Sequence, residues 1–454
     1  MREKLASRLG FILLSAGCAI GIGNVWRFPY VVGKCGGGWF IPIYLLALAL
    51  IGVPVLVMEF AVGRAAQRSL VAAHGVLTPE RRAWRAHGFL GLAGNVLLMM
   101  FYTTVTGWMV VYFGLMLSGR FAGLDTPGIE QVFRGVLSAP VLQGVAMVGV
   151  TLGSVGVCAI GLQKGLERVT KVMMLALLAL IAVLAVNSVC LDGAAKGVAF
   201  YLVPDFARLR EVGVGTVLGD AASQAFFTLS LGIGAMSIFG SYIDRKRTLL
   251  GEAVHVAALD TLVAVASGLI IIPACFAYGV DAGMGPGLVF VTLPSVFNHM
   301  AGGRVWGALF FVFMAFAALS TVLTVFECII AMLMDLFAWT RRRACAVVAA
   351  VLPLLSLPCV LGFNLWAGFA PFGPGSTVLD LEDSVLSDFV LPLGSIVFAF
   401  YCCHRFGWGW KSFLAEANAG EGPRFPGWVR LYCAYGVPAL VVGVLVLGLV
   451  RRFG

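Results

Sequence analysis

Apolar runs of about 20 residues recur along this chain, separated by short segments that hold most of its charges. Each run is long enough to cross a hydrocarbon core of roughly 30 Å as a helix. The pattern predicts eleven spans, at 9–32, 39–63, 88–117, 139–160, 169–190, 215–240, 253–278, 304–338, 344–363, 385–403 and 429–450. Between spans 7 and 8 lies GPGLVFVTLPSVFNHMAGG, apolar but cut by proline and glycine. It is too short to cross, which predicts a re-entrant or interfacial hairpin near 285–302.

Two spans are weakened at the same place. AIGIGN (residues 19–24) interrupts span 1 and SLGIGAM (residues 230–236) interrupts span 6, so a Gly-Ile-Gly stands at 21–23 and again at 232–234. Each falls in the first helix of a five-helix half. The expected units are 1–190 (spans 1–5), 191–404 (spans 6–10 with the hairpin) and 405–454 (span 11). An odd number of helices per half inverts the second relative to the first, and matched breaks in inverted halves point to a carrier's binding site. Gly17 and Gly21 also form a G-x-x-x-G, which packs helices together, but the matched pair favours the broken helix. A break at mid-membrane frees carbonyls at one half's end and N–H groups at the other's start, and these need polar partners. The N–H end attracts a carboxylate and the C=O end attracts cations, so a zwitterionic amino acid with sodium ions satisfies both.

Composition narrows the class. At 60% hydrophobic and 12% charged residues the chain is a polytopic membrane protein rather than a soluble domain. The net charge of +9 forms no basic domain, so no nucleic-acid partner is expected. Of the 31 Lys and Arg residues, 21 fall on the side that carries the N-terminus. That bias predicts a cytoplasmic N-terminus and, with eleven spans, an external C-terminus. The basic start resembles a signal peptide but lacks a small-residue cleavage site, so an uncleaved first helix is expected. Eleven cysteines without paired spacing read as small apolar filler. No phosphate loop, histidine cluster or nucleophile beside a base suggests an enzyme.

RLGFILLSAGCAIGIGNVWRFPY…GGGWFIPIY, SQAFFTLSLGIGAMSIFGSY and ALSTVLTVFE resemble the neurotransmitter:sodium symporter family, over residues 6 to 450. The resemblance implies an all-α polytopic fold of the LeuT-like kind, a 5+5 inverted repeat plus one extra helix, with spans 1 and 6 unwound at mid-membrane. Eleven spans resemble the short bacterial branch, in the cytoplasmic (inner) membrane. The implied function is sodium-coupled secondary symport of a neutral, hydrophobic or aromatic L-amino acid by alternating access. The alternatives are a proton-coupled amino-acid carrier on the same fold, or a non-transporting membrane sensor. Beyond the substrate and the lipid bilayer, no obligate protein partner is expected.

The resemblance also implies a ligand set. Sodium site 1 would use Ala19, Asn24, Thr228 and Asp260, with the substrate carboxylate. Sodium site 2 would use Gly17, Ile20, Ala317, Ser320 and Thr321. Oxygen-only sets of this kind suit a hard cation. Tyr44 and Gln224 match positions around the anion site of the animal members. Ala264 leaves that site without an acid or hydroxyl, so Asp260 supplies the charge and chloride is not expected to be required. The substrate carboxylate would meet the N–H groups of Ile22 and Gly23 and the hydroxyl of Tyr102. Its ammonium would face carbonyls of Ala19, Phe227 and Thr228, with Ser230 near. Leu98, Phe227, Ile233 and Val325 would line an apolar pocket, with Thr321 and Thr324 beside it. Gly21 stands where the monoamine carriers have an aspartate, which favours substrates that bring their own carboxylate.

Two gates follow. Arg27 would pair with Asp383 on the outer path, in competition with Asp380, Glu382 and Asp388. Arg2 would pair with Asp335 on the inner path, with Tyr242 adjacent. The family usually carries a tryptophan where this chain has Leu5, so a looser inner latch is expected. Glu59 is expected on the unwound backbone of a broken helix, and Glu327 as a neutral, hydrogen-bonded acid.

Overall fold

The computed structural model describes residues 3–279 and 287–453, with side chains to residue 448. Among the described residues nine uninterrupted helices are long and apolar enough to cross a membrane. They are span 2 (Phe40–Ala66), span 3 (Arg82–Leu117), span 4 (Pro140–Ile160), span 5 (Leu162–Val189), span 7 (Leu249–Ala277), span 8 (Gly303–Phe337), span 9 (Arg341–Leu361), span 10 (Val378–Cys403) and span 11 (Gly427–Gly448). Span 1 is a pair, Arg8–Ala19 and Gly23–Lys34, bent by 59°. The region expected as span 6 is also two pieces, Val214–Thr228 and Ala235–Gly240. Several spans begin earlier than hydropathy alone places them, because basic first-turn residues such as Arg82 and Arg341 join the helix.

Local chemistry sets the ends. Ser7 precedes span 1, and its hydroxyl accepts from the Gly10 N–H at 3.0 Å. Thr377 and Asp380 form a reciprocal capping box at the start of span 10. Six residues of span 10, Val385–Val390, form a wider π turn that rotates the residues after it.

The core is built on spans 3 and 8, which pack together more extensively than any other pair. Where a hairpin is expected over 285–302, the described part is a single short helix, Leu288–His299; positions 285 and 286 lie outside the described residues. Phe290 of that helix plugs one end of the bundle among the rings of Tyr112 (4.9 Å), Phe133 (5.2 Å), Trp108 (5.8 Å) and Trp26 (6.0 Å). All eleven cysteines are free thiols, and all but Cys190 are buried.

Candidate functional site

The two Gly-Ile-Gly sequences break their helices for different reasons. In span 6, Gly232 has φ +98° and Gly234 φ +72°, with Ser230 also left-handed at φ +49°. That conformation costs glycine little and other residues more. In span 1 neither Gly21 nor Gly23 is left-handed. A Cβ on Gly21 would collide with the Tyr102 hydroxyl and stand 2.7 Å from Thr321 Oγ1. One on Gly23 would stand 2.6 Å from the Phe227 ring. The first pair of glycines provides close approach alone; the second provides both backbone shape and close approach, since a Cβ on Gly232 would run into the Leu391 carbonyl. Glu59 of span 2 accepts the freed Gly232 N–H at 2.5 Å, so this acid sits on unwound backbone, as its sequence context suggests.

At the break in span 1 the Ile22 N–H donates to Tyr102 Oη at 2.8 Å. Two residues further, Asn24 is fully buried and ties three elements together. Its Nδ2 donates to Asp260 Oδ1 at 2.8 Å and to Thr228 Oγ1 at 3.1 Å, while its Oδ1 accepts from the Gly21 N–H at 3.1 Å. Thr228 donates to Asp260 Oδ2 at 2.8 Å, and Tyr44 does so at 3.4 Å. Gln224 Nε2 donates to the Gly23 carbonyl at 3.2 Å. A carboxylate at 0% exposure inside a membrane protein is costly unless it is partnered. Here three donors converge on it, and all of them come from the first expected sodium set and its anion-site neighbours. A cation among these oxygens requires the Asn24 amide to turn, because its NH2 now faces Asp260 and Thr228.

The second expected set is also brought together. Thr321 Oγ1 lies 3.1 Å from the Ile20 carbonyl, 3.3 Å from that of Gly17 and 3.5 Å from that of Ala317. Ser320 Oγ lies 2.8 Å from the Ala317 carbonyl and 3.4 Å from that of Ile20. Five oxygens from spans 1 and 8 therefore face one another, with no nitrogen or sulfur in the set. That chemistry fits sodium and disfavours transition metals.

Between the two sets lies a cavity lined by Ala19, Gly21, Gly23, Leu98, Tyr102, Phe227, Ser230 and Thr321. Cys18, Leu386 and Leu391 also line it. Span 10 thus adds two leucines that the sequence does not flag, one within its π turn and one just after it. Ile233 and Val325, expected in the pocket wall, are fully buried but not among its lining residues. Arg27 stacks 4.5 Å over the Phe227 ring and donates to Ser223 at 3.2 Å. Its Nη1 is buried and has no hydrogen-bond partner among the described residues. Asp383 accepts from Ser387 at 2.9 Å.

At the opposite end Arg2 lies outside the described residues. Asp335 accepts the Ser69 N–H at 2.6 Å and lies 3.9 Å from Arg68. Tyr242 donates to Glu327 at 2.7 Å. Glu327 corrects the expectation of a neutral acid: Arg341 holds it with bonds of 2.6 and 2.8 Å. The sequence conceals that pair, since Arg341 reads as one of three basic residues in a turn. Removing the arginine alone strands a buried carboxylate, at a cost of about 3–5 kcal/mol. Arg341→Met is therefore expected to lower the melting temperature in detergent by several degrees, and adding Glu327→Gln to recover part of it. Equal melting of single and double variants would contradict this pairing.

The model of the sodium:neurotransmitter symporter family matches residues 2–122 and 136–452. YhdH, a sodium-dependent transporter of Bacillus subtilis (strain 168), is 34% identical over 396 residues, 87% of this chain and 86% of the relative. The sodium-dependent serotonin transporter of Drosophila melanogaster is 28% identical over 89% of this chain and 71% of its own length. Among solved structures, MhsT in complex with L-phenylalanine superposes with a TM-score of 0.87 at 36% identity, covering 98% of this chain and 99% of that one. By these matches over nearly its whole length, the chain belongs to the sodium:neurotransmitter symporter family, as a LeuT-like, sodium-dependent membrane transporter rather than an enzyme.

Proposed function

We propose that this transporter carries a neutral, apolar L-amino acid into the cell together with two sodium ions, by alternating access. The observation that carries the proposal is the break in span 1. There the Ile22 N–H and the Tyr102 hydroxyl form a carboxylate-binding pair between two oxygen clusters. Gly21 leaves that place without a side-chain acid, so the substrate brings the negative charge. Leu98, Phe227, Leu386 and Leu391 make the remaining wall apolar, which suits leucine, methionine or an aromatic amino acid better than a charged one. The relation to MhsT, solved with L-phenylalanine, supports the same class.

Sodium and substrate are cargo that complete each other's sites. The substrate carboxylate adds a ligand to the Ala19, Asn24, Thr228 and Asp260 set, so each raises the other's affinity by the same factor. Gly17, Ile20, Ala317, Ser320 and Thr321 hold the second ion and tie the first half of span 1 to span 8. On the outer path the free Nη1 of Arg27 reaches for Asp383 as Phe227 closes over the substrate. On the inner path Asp335 and the Tyr242–Glu327–Arg341 cluster form the closing surface, with Arg2 approaching it. The units 1–190 and 191–404 act as inverted halves and 405–454 stands outside them. The N-terminus is cytoplasmic in a bacterial inner membrane.

Uptake of radiolabelled leucine or phenylalanine into proteoliposomes tests the function. Accumulation is expected with an inward sodium gradient and not with potassium or a pH gradient alone. Failure of every neutral amino acid to accumulate with sodium would overturn the proposal. Asp260 brings a carboxylate to the hydroxyl of Tyr44, in the place of an anion, so replacing chloride by gluconate is expected to leave the rate unchanged. A rate that collapses in gluconate would show that Asp260 does not replace the anion.

A further inference from the structure

We propose that Glu167 of span 5 is the clasp that holds the first half of span 1 closed, and that its hold sets the apparent affinity for sodium. The inference rests on the sodium-symport function above. Glu167 is only 6% exposed. Its Oε2 accepts the Ala6 N–H at 2.8 Å, and its Oε1 accepts the Ser7 hydroxyl at 3.2 Å. Ser7 in turn accepts the Gly10 N–H and so caps the half-helix. One carboxylate therefore fixes the two residues from which Arg8–Ala19 starts. A negative charge at a helix start also complements the helix dipole. The fit is close: a Cβ on Gly10 would run into the Glu167 carboxylate.

The same half-helix carries sodium ligands at its other end, the carbonyls of Gly17 and Ile20. Span 5 follows it along that length, since a Cβ on Gly17 would stand 3.1 Å from Thr170 and 3.4 Å from Met174. Two neighbouring bonds brace the clasp. Arg8 pairs with Glu252 of span 7 at 2.9 Å, and Gln163 Nε2 donates to the Lys4 carbonyl at 2.8 Å. Beside Leu5, the N-terminal segment is held by backbone and hydroxyl bonds to a carboxylate. Gly161 at φ +115° and the wider turn Leu162–Glu167 begin span 5 and bring that carboxylate to the segment.

Opening the inner path moves the first half of span 1 away from span 8, which parts the five-oxygen set. The clasp opposes that movement from the far end of the same rigid element. Weakening it shifts the population toward the open form, in which the set is incomplete, so more sodium is needed to reach the same occupancy.

Glu167→Ala and Gly10→Ala break the contact from its two sides. In proteoliposomes both are expected to raise the half-saturating sodium concentration roughly tenfold, the size of a lost charge-assisted bond. The maximal rate is expected to return at saturating sodium. Amide exchange over residues 4–10, measured without sodium, is expected to accelerate in both variants. Glu167→Gln, which keeps one acceptor, falls between. Unchanged sodium dependence, or unchanged exchange over residues 4–10, would overturn the proposal. Should either variant misfold, seen as lost protection throughout the chain, Ser7→Ala removes one hydroxyl and is expected to raise the half-saturation two- to threefold. No shift there also overturns it. A parent protein that needs no sodium would instead defeat the symport function, while the exchange measurement still decides the clasp.

Discussion

Gly21→Ala is expected to abolish uptake while leaving the fold intact. The added methyl group collides with the Tyr102 hydroxyl and crowds Thr321 Oγ1. Tyr102 must then swing away from the Ile22 N–H, which takes the tyrosine hydroxyl out of the proposed carboxylate site. Overpacking of this kind costs about 1–3 kcal/mol, and the lost hydrogen bonds to a charged carboxylate cost about 1.5–3 kcal/mol more. Together they predict a fall in uptake efficiency of roughly a hundredfold or more, each 1.4 kcal/mol being about tenfold. The same overpacking is expected to lower melting in detergent by a few degrees without unfolding the chain, because Tyr102 lines a cavity into which it can rotate. An alanine variant that transports at the parent rate would show that the carboxylate binds elsewhere.

Asp260→Ala is expected to have the second largest effect, and on sodium rather than substrate. Asp260 takes hydrogen bonds from Asn24, Thr228 and Tyr44 with both of its oxygens. Without it these polar groups face one another with no charge between them, and the first oxygen set loses its only fixed negative charge. At least a tenfold rise in half-saturating sodium is expected, and with it a smaller enhancement of substrate binding by sodium. Asp260→Asn separates charge from shape: it is expected to keep the fold and still lose sodium affinity. Unchanged sodium dependence in both variants would remove Asp260 from the ion site.

Much of this architecture was legible along the chain, because a membrane allows few backbone solutions. Apolar runs of the right length located the spans, and paired Gly-Ile-Gly sequences located both breaks. The chain could not show why each break needs glycine. At Gly232 the backbone turns left-handed against the Leu391 carbonyl, whereas at Gly21 a tyrosine distant in sequence occupies the space. The hydroxyls and carbonyls of the second oxygen set were named from family motifs, and the fold brings all five together. What stayed hidden depended on register and on distant partners. Leu386 and Leu391 reach the cavity from within and just after a π turn, which hydrophobic periodicity cannot reveal. Ile233 packs behind the lining because an unwound segment loses helical phase, while Val325 is buried within the unbroken helix of span 8. Arg341 reaches Glu327 across a turn between two helices, and Glu167 reaches Ala6 across 161 positions of sequence.

Equilibrium binding in detergent tests most directly whether one broken helix holds an amino acid and sodium in a shared site. Titration of the purified transporter with L-phenylalanine or L-leucine, in sodium and in potassium, requires no gradient and no membrane. Sodium is expected to tighten amino-acid binding at least tenfold, the amino acid to tighten sodium binding by the same factor, and Gly21→Ala to abolish the amino-acid signal. Amino-acid affinity that is the same in sodium and potassium would contradict the shared site.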